Sequence, residues 1–191
     1  MTASTLEDLA ARIDRLESRA EIENVIGRLA RAQDRMDIEA IGACYHRPDG
    51  FDDHLVFKGS GDAFARWFVE VCAPLEETLH FVGPSVVEVD GDVAQAQTEC
   101  VAHHFARLPA PSGSPAERPL RSDWIMGLRY LDRLERRGGK WLIAHRKCIY
   151  DWTYHSGFEG ALRTLDDPNI VWGRRDREDG SYFPVGPSPL A

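Results

Sequence analysis

The stretch ARAQDRMDIEAIGACYHRPDG, residues 30–50, places Asp34 where one apolar helical pattern ends and a second, short one is about to begin. An aspartate at such a point can cap the next helix, a role that Asp37, just before Ile38, fills equally well. The other reading is chemical. A carboxylate beside an imidazole accepts a hydrogen bond from one ring nitrogen, fixes the tautomer and leaves the other nitrogen to take a proton. Histidines stand at 46, 54, 80, 103, 104, 145 and 155. A lone strand histidine is usually a hydrogen-bonded structural residue. His80, near the start of the first long strand, is a residue that could meet Asp34 where a helix lies across a curved sheet.

Strand alternation sorts further groups. In the last strand Leu142, Ala144, Arg146, Cys148, Tyr150 and Trp152 share one face, so Arg146 lies amid apolar and aromatic neighbours. A buried arginine is costly without an anion. It is either half of a structural ion pair or a cation that meets negative charge on a ligand. His103 and His104 must point opposite ways. The side of Ala94, Ala96, Thr98, Cys100, Ala102 and His104 is small enough for close helix packing, which leaves His103 as the expected cavity residue.

The elements that must position these groups follow from periodicity. Residues 5–36 read as a helix whose first third carries the narrow stripe Leu6-Leu9-Ile13-Leu16, suited to a partner helix or to an arm folded on its own domain. A short helix follows at 38–45. FDDHLVFKGSG reads as a brief strand or loop, and a helix then runs from the Ser/Gly/Asp start near residue 60 to about Glu77, kinked or broken at Pro74. From Leu79 the period changes to two. Four extended runs joined by Asp-Gly or Gly-Gly turns and one longer loop, 109–119, predict an antiparallel meander. The fold class is α+β: a cone-shaped barrel with helices on one face of a curved antiparallel sheet. The expected organisation is an N-terminal helical arm (1–20), a cone domain (21–157) and a C-terminal extension (158–191) that wraps the domain or stays partly disordered.

Composition narrows the function. The 191 residues carry a net charge of −8, with 43% hydrophobic and 28% charged residues, enough apolar material for one core. Acidic and basic residues are interleaved, which argues against nucleic acid as a partner. No apolar window approaches a membrane span, and the N-terminus lacks a secretory pattern, so a cytoplasmic location is expected. Cys44, Cys72, Cys100 and Cys148 are dispersed without metal-ligand spacing and read as reduced, buried small residues. No Gly-rich phosphate loop or nicotinamide or flavin fingerprint is present, so neither a cofactor nor a metal is expected.

The order RLARAQDRMD, EETLHFVGPSVVEVDGD, LRYLDRLERRGGKW and LIAHRKCIYDW, over about residues 8–155, resembles the nuclear transport factor 2-like superfamily in its SnoaL-like branch. Scytalone dehydratase, hexachlorocyclohexane dehydrochlorinase and bile-acid 7α-dehydratase in that superfamily use a helix aspartate and a strand histidine as a cofactor-free proton-abstracting dyad. Asp34 and His80 fall on those positions, Arg146 falls where dehydrochlorinase-like members place a pocket arginine, and His103 falls near an acidic catalytic position of the bile-acid enzyme. Leu29 stands where some members carry a polar residue five positions before the aspartate.

The expectation is a cofactor-independent lyase acting on a small hydrophobic, cyclic or aromatic substrate. Its catalytic residues are Asp34, His80 and Arg146, and its substrate walls are His103, Tyr150, Trp152, Trp67 and Phe57. The alternatives are an isomerase or polyketide-cyclase-like enzyme, or a noncatalytic binding or assembly module such as the small subunit of a ring-hydroxylating dioxygenase. The apolar stripe and the resemblance together imply a homo-oligomer, trimer or dimer.

Overall fold

The computed structural model describes residues 5–54, 56–107, 120–159 and 170–186. Helix α1 (Leu6–Asp34) begins at Thr5, whose hydroxyl accepts the N–H of Asp8 while the Asp8 carboxylate accepts the N–H of Thr5. This reciprocal cap satisfies two donors that a helix start otherwise leaves unpaired. From Ser18 onward one side of α1 is buried through Ile22, Val25, Ile26 and Leu29, whereas Leu6, Leu9, Ile13 and Leu16 stay uncovered. Helix α2 (Ile38–Gly42) is capped by the Asp37 carboxylate on the N–H of Ala40. A hairpin of β1 (Phe51–His54) and β2 (Phe57–Ser60) leads into α3 (Gly61–Cys72), which starts at the Ser60 cap and stops two residues before Pro74. The expected extension of this helix to Glu77 is absent, because a proline cannot continue the hydrogen-bond ladder and restricts the residue before it.

Strands β3 (Glu77–Asp90), β4 (Val93–Arg107), β5 (Leu120–Arg137) and β6 (Lys140–Glu159) form the expected antiparallel meander. Gly138 and Gly139 both adopt positive φ in the two-residue β5–β6 turn, a conformation that suits the twist of the strands and strains other residues. The full sheet has the order β2-β1-β6-β5-β4-β3 and is mixed, not purely antiparallel. The hairpin joins at the β6 edge, with β1 parallel to β6 and Asp52 opposite Arg146. Short β1 could be seen in the sequence, but its partner and direction could not.

The register shifts between Val82 and Ser85, between Gly127 and Leu128, and between Arg133 and Leu134. Such bulges bend strands and increase local twist, and here they curve the sheet around the helices. The core lies between them: Ile22, Val25, Ile26 and Leu29 of α1, Ile41, Phe64 and Phe68, against Val87, Ala94, Ala96, Leu134, Trp141 and Ile143. All four cysteines are buried and unbridged. No helix among the described residues is long and apolar enough to cross a membrane.

The loop 109–119 lies outside the described residues. In the tail, residues 170–186 return to the helices. Arg177 pairs with Asp37 and Glu39, the Tyr182 hydroxyl donates to Asp37, Arg35 pairs with Asp179, and Arg175 donates to the carbonyls of Cys72 and Leu75.

Candidate active site

Asp34 is the last residue of α1, and His80 lies in the first half of β3 with its side chain on the helix-facing side of the sheet. His80 Nδ1–H donates to Asp34 Oδ1 at 2.7 Å, and the backbone N–H of His80 donates to Oδ2 at 3.0 Å. Both residues are buried. The carboxylate thus grips both the main chain and the ring of one residue. The ring is held with Nδ1 protonated, and Nε2, which has no partner among the described residues, carries the free lone pair. Asp37, not Asp34, caps α2, and the Asp34 carboxylate is spent on His80 instead.

The space around the dyad is aromatic. The Phe68 ring lies 5.7 Å from His80, and His104 meets it edge-on at 5.4 Å. Burial, with His80 adding to it, pushes the His104 imidazole down to about 4, so it is neutral at physiological pH. Its buried Nδ1 has no hydrogen-bond partner. Farther into the cone, His54 sits among Phe64, Trp67, Tyr130 and Tyr150, with ring centroids 5.2–6.4 Å away. Toward the opposite end, Trp124 stacks on His155 at 5.2 Å and is 37% exposed. External grooves of about 670 and 510 Å³ run along α1 and the β5–β6 turn, and neither is lined by Asp34 or His80.

Arg146 is 1% exposed and forms a two-pronged ion pair with Asp132, both bonds 2.7 Å, while its guanidinium lies 4.0 Å from the Tyr130 ring centre. Burial opposes its charge, but the Asp132 carboxylate outweighs burial and holds its pKa well above the ordinary value. Of the two readings of this arginine, the structural ion pair is the one realised. It does not stand free to meet a ligand's charge.

His103 does not face the dyad. Its Nδ1 pairs with Asp123 at 2.8 Å on the opposite face of the sheet, stacked on Phe105. The small side chains of β4 do pack toward the helices, but the same face also lines the interior, so the small-residue side and the cavity side are one and the same. Trp152 is also displaced from its expected face. The bulge pairs Leu128 with Tyr150 and Gly127 with Trp152, so Asp151 is the extra residue and alternation resumes one step out of phase. Tyr150 points inward to His54, whereas the Trp152 indole lies against Gly127, half exposed, where any side chain on that glycine would collide with it. Trp67 and Phe57 are stacked at 5.2 Å beside Phe64, on the side of the interior that holds His54.

Sequence reasoning did not assign His104, His54, Tyr130, Asp52 or Asp132 to the interior. His104 carried a usable signal, since it continues the small apolar face of β4. His54 and Asp52 carried none, because their orientation depends on β1 joining β6.

The pattern of the SnoaL-like domain matches residues 14–147. Among solved structures, a hexachlorocyclohexane dehydrochlorinase of type 2 is 18% identical, with 83% of this chain and 99% of that one covered at a TM-score of 0.61. A putative scytalone dehydratase from Novosphingobium aromaticivorans is 16% identical over 83% and 97% of the two chains, at 0.60. A nuclear transport factor 2-like protein of cystatin-like fold from the same organism is 26% identical over 78% and 92%, at 0.57. No curated protein matches the chain in sequence. With the matched pattern spanning α1 to β6 and the curved sheet wrapped on the helices, the chain belongs to the SnoaL-like family of the nuclear transport factor 2-like fold.

Proposed function

We propose that this protein is a cofactor-independent lyase that removes a proton and a leaving group from a small, neutral, cyclic or aromatic substrate. The observation that carries the reading is the 2.7 Å bond between Asp34 Oδ1 and His80 Nδ1 in a buried, aromatic interior. His80 Nε2 takes a C–H proton, and Asp34 keeps the tautomer and stabilises the imidazolium that forms. The only arginine in this interior that the sequence singled out is spent on Asp132, which disfavours an anionic substrate and favours a neutral one. His104 and Tyr150 offer polar contacts from the walls. The solved relatives named for dehydrochlorination and dehydration share the fold, and the dyad supplies the reason to extend their reaction type to this chain.

The test is turnover of hexachlorocyclohexane, which loses chloride, and scytalone, which loses hydroxide, by protein dialysed against EDTA. Activity on either that is lost in His80→Ala supports the reading. Activity that persists in His80→Ala, or that needs an added metal or nicotinamide, overturns it.

A further inference from the structure

Asp52 is fully buried, and the charges acting on it are one guanidinium, Arg146, and two further carboxylates, Asp132 and Asp53. Arg146 commits both prongs to Asp132, so Asp52 has no cation left. A carboxylate in that position cannot remain charged without a large desolvation cost. Its Oδ2 accepts the Tyr45 hydroxyl at 2.5 Å, while Oδ1 is buried without a hydrogen-bond partner. Across 3.7 Å from Oδ1 stands His54 Nδ1, also buried and also without a partner. The two residues are at i and i+2 of β1, on the same face of the strand.

We propose that Asp52 and His54 form a second proton-holding pair in this interior, in which His54 donates its Nε2 proton to the leaving group while His80 removes the substrate's C–H proton. The inference rests on the lyase reading above. With Oδ2 occupied by Tyr45, the Asp52 proton sits on Oδ1, and closing the 3.7 Å gap to hydrogen-bond distance lets it donate to His54 Nδ1 and holds His54 as the Nε2–H tautomer. In the elimination, the C–H pair becomes the new double bond and the carbon–oxygen bond breaks. The oxygen takes the His54 Nε2 proton, and His54 Nδ1 takes the proton of Asp52. One proton is removed and one delivered, and transfer from protonated His80 back to Asp52 through solvent resets the site. The two dyads differ in charge for a physical reason: Asp34 takes two N–H donors, one of them from the imidazole it serves, whereas Asp52 accepts from a neutral hydroxyl only. Supporting this, burial pushes the Asp52 carboxyl up to about 7 against the lowering effects of Tyr45 and Arg146. Burial likewise drives the His54 imidazole down to about 3, with Arg146, His80 and His104 adding to it and Asp53 opposing.

The full-length protein labelled with ¹⁵N tests the pair without a substrate. Long-range imidazole spectra should show His54 neutral with its proton on Nε2, a signal identified by its loss in His54→Phe and shifted at Nδ1 in Asp52→Ala. Should Asp52→Ala fail to fold, infrared absorption gives the same answer: a protonated carboxyl band at mildly acidic pH that disappears in Asp52→Asn. A His54 proton on Nδ1, or no protonated carboxyl removed by the Asp52 change, overturns the proposal. The His80 signal in the same spectra reports the first dyad separately. In the turnover assay, His54→Phe should slow loss of hydroxide by about 10²-fold or more and loss of chloride by much less, because chloride leaves unprotonated. Equal losses for both groups would overturn the donor role while leaving the His80 base intact, and failure of the wild type on both compounds would remove the lyase reading and this one with it.

Discussion

Asp34 holds His80 through two bonds, one to the ring and one to the main chain, across 46 residues of sequence. A helix terminus and a strand are thereby locked at the one point where the imidazole faces the interior. The double grip makes a direct prediction. His80→Ala should remove nearly all turnover, and Asp34→Asn should reduce it by about 10²-fold, since orientation of the base survives in part while the stabilising charge does not. Kinetics alongside circular dichroism checks this, with the requirement that the Asn variant remain folded.

Arg146 and Asp132 should behave as a structural unit. Removing one partner, as in Arg146→Met or Asp132→Leu, strands the other in a dry site and should cost about 3–5 kcal/mol. Thermal melts should fall by roughly 10 °C. The double change Arg146→Met with Asp132→Leu should recover much of that loss, and a double variant as unstable as the sum of the two single ones would contradict the assignment.

His104 weakens the fold toward acid pH. His104 has a folded-state pKa of about 4 against 6.5 unfolded, so its contribution is complete above 6.5 and is lost as pH falls toward 4. Asp52 works in the opposite direction. Its pKa rises from 3.8 to about 7 in the fold, so its contribution is complete at low pH and is lost as pH rises toward 7. His104→Phe should therefore lose about 1–2 kcal/mol less than wild type between pH 7 and pH 5. Asp52→Asn should flatten the decline on the other side. Denaturant titrations at a series of pH values measure both.

The outward residues should be dispensable for chemistry. His103 is tied to Asp123 on the far face, and Trp152 lies over Gly127 there, so His103→Ala and Trp152→Ala should leave turnover within about threefold of wild type. His104→Ala should reduce it more than either. Equal effects of the His103 and His104 changes would place the site elsewhere.

The uncovered stripe of α1 should bring copies of the chain together. Leu6 is 86% and Leu16 67% exposed, and Leu9 and Ile13 lie beside them on the same helix face. Light scattering should give a mass above the 21.5 kDa of one chain, and Leu9→Glu with Ile13→Glu should return it to that value. A monomeric wild type at micromolar concentration would contradict this expectation.

What the sequence determined by itself was local. The 3.6-residue and 2-residue periods gave the long helix and the four long strands, Asp-Gly and Gly-Gly gave the turns, and Asp37 gave the cap of α2. These features depend on backbone geometry within a few residues, so they can be read without the rest of the chain. The motif order also brought Asp34 and His80 under suspicion as a pair. Tertiary structure decided which way the interior lies and what is charged there. One bulge at Asp151 turned Trp152 outward while Tyr150 stayed inward, because a single extra residue reverses every later side chain. Parallel docking of β1 on β6 set Asp52 beside Arg146, and Asp132, from the neighbouring strand β5, took the guanidinium first. Ion pairing and burial are long-range relations between strands, and no local pattern records which of two carboxylates an arginine will hold.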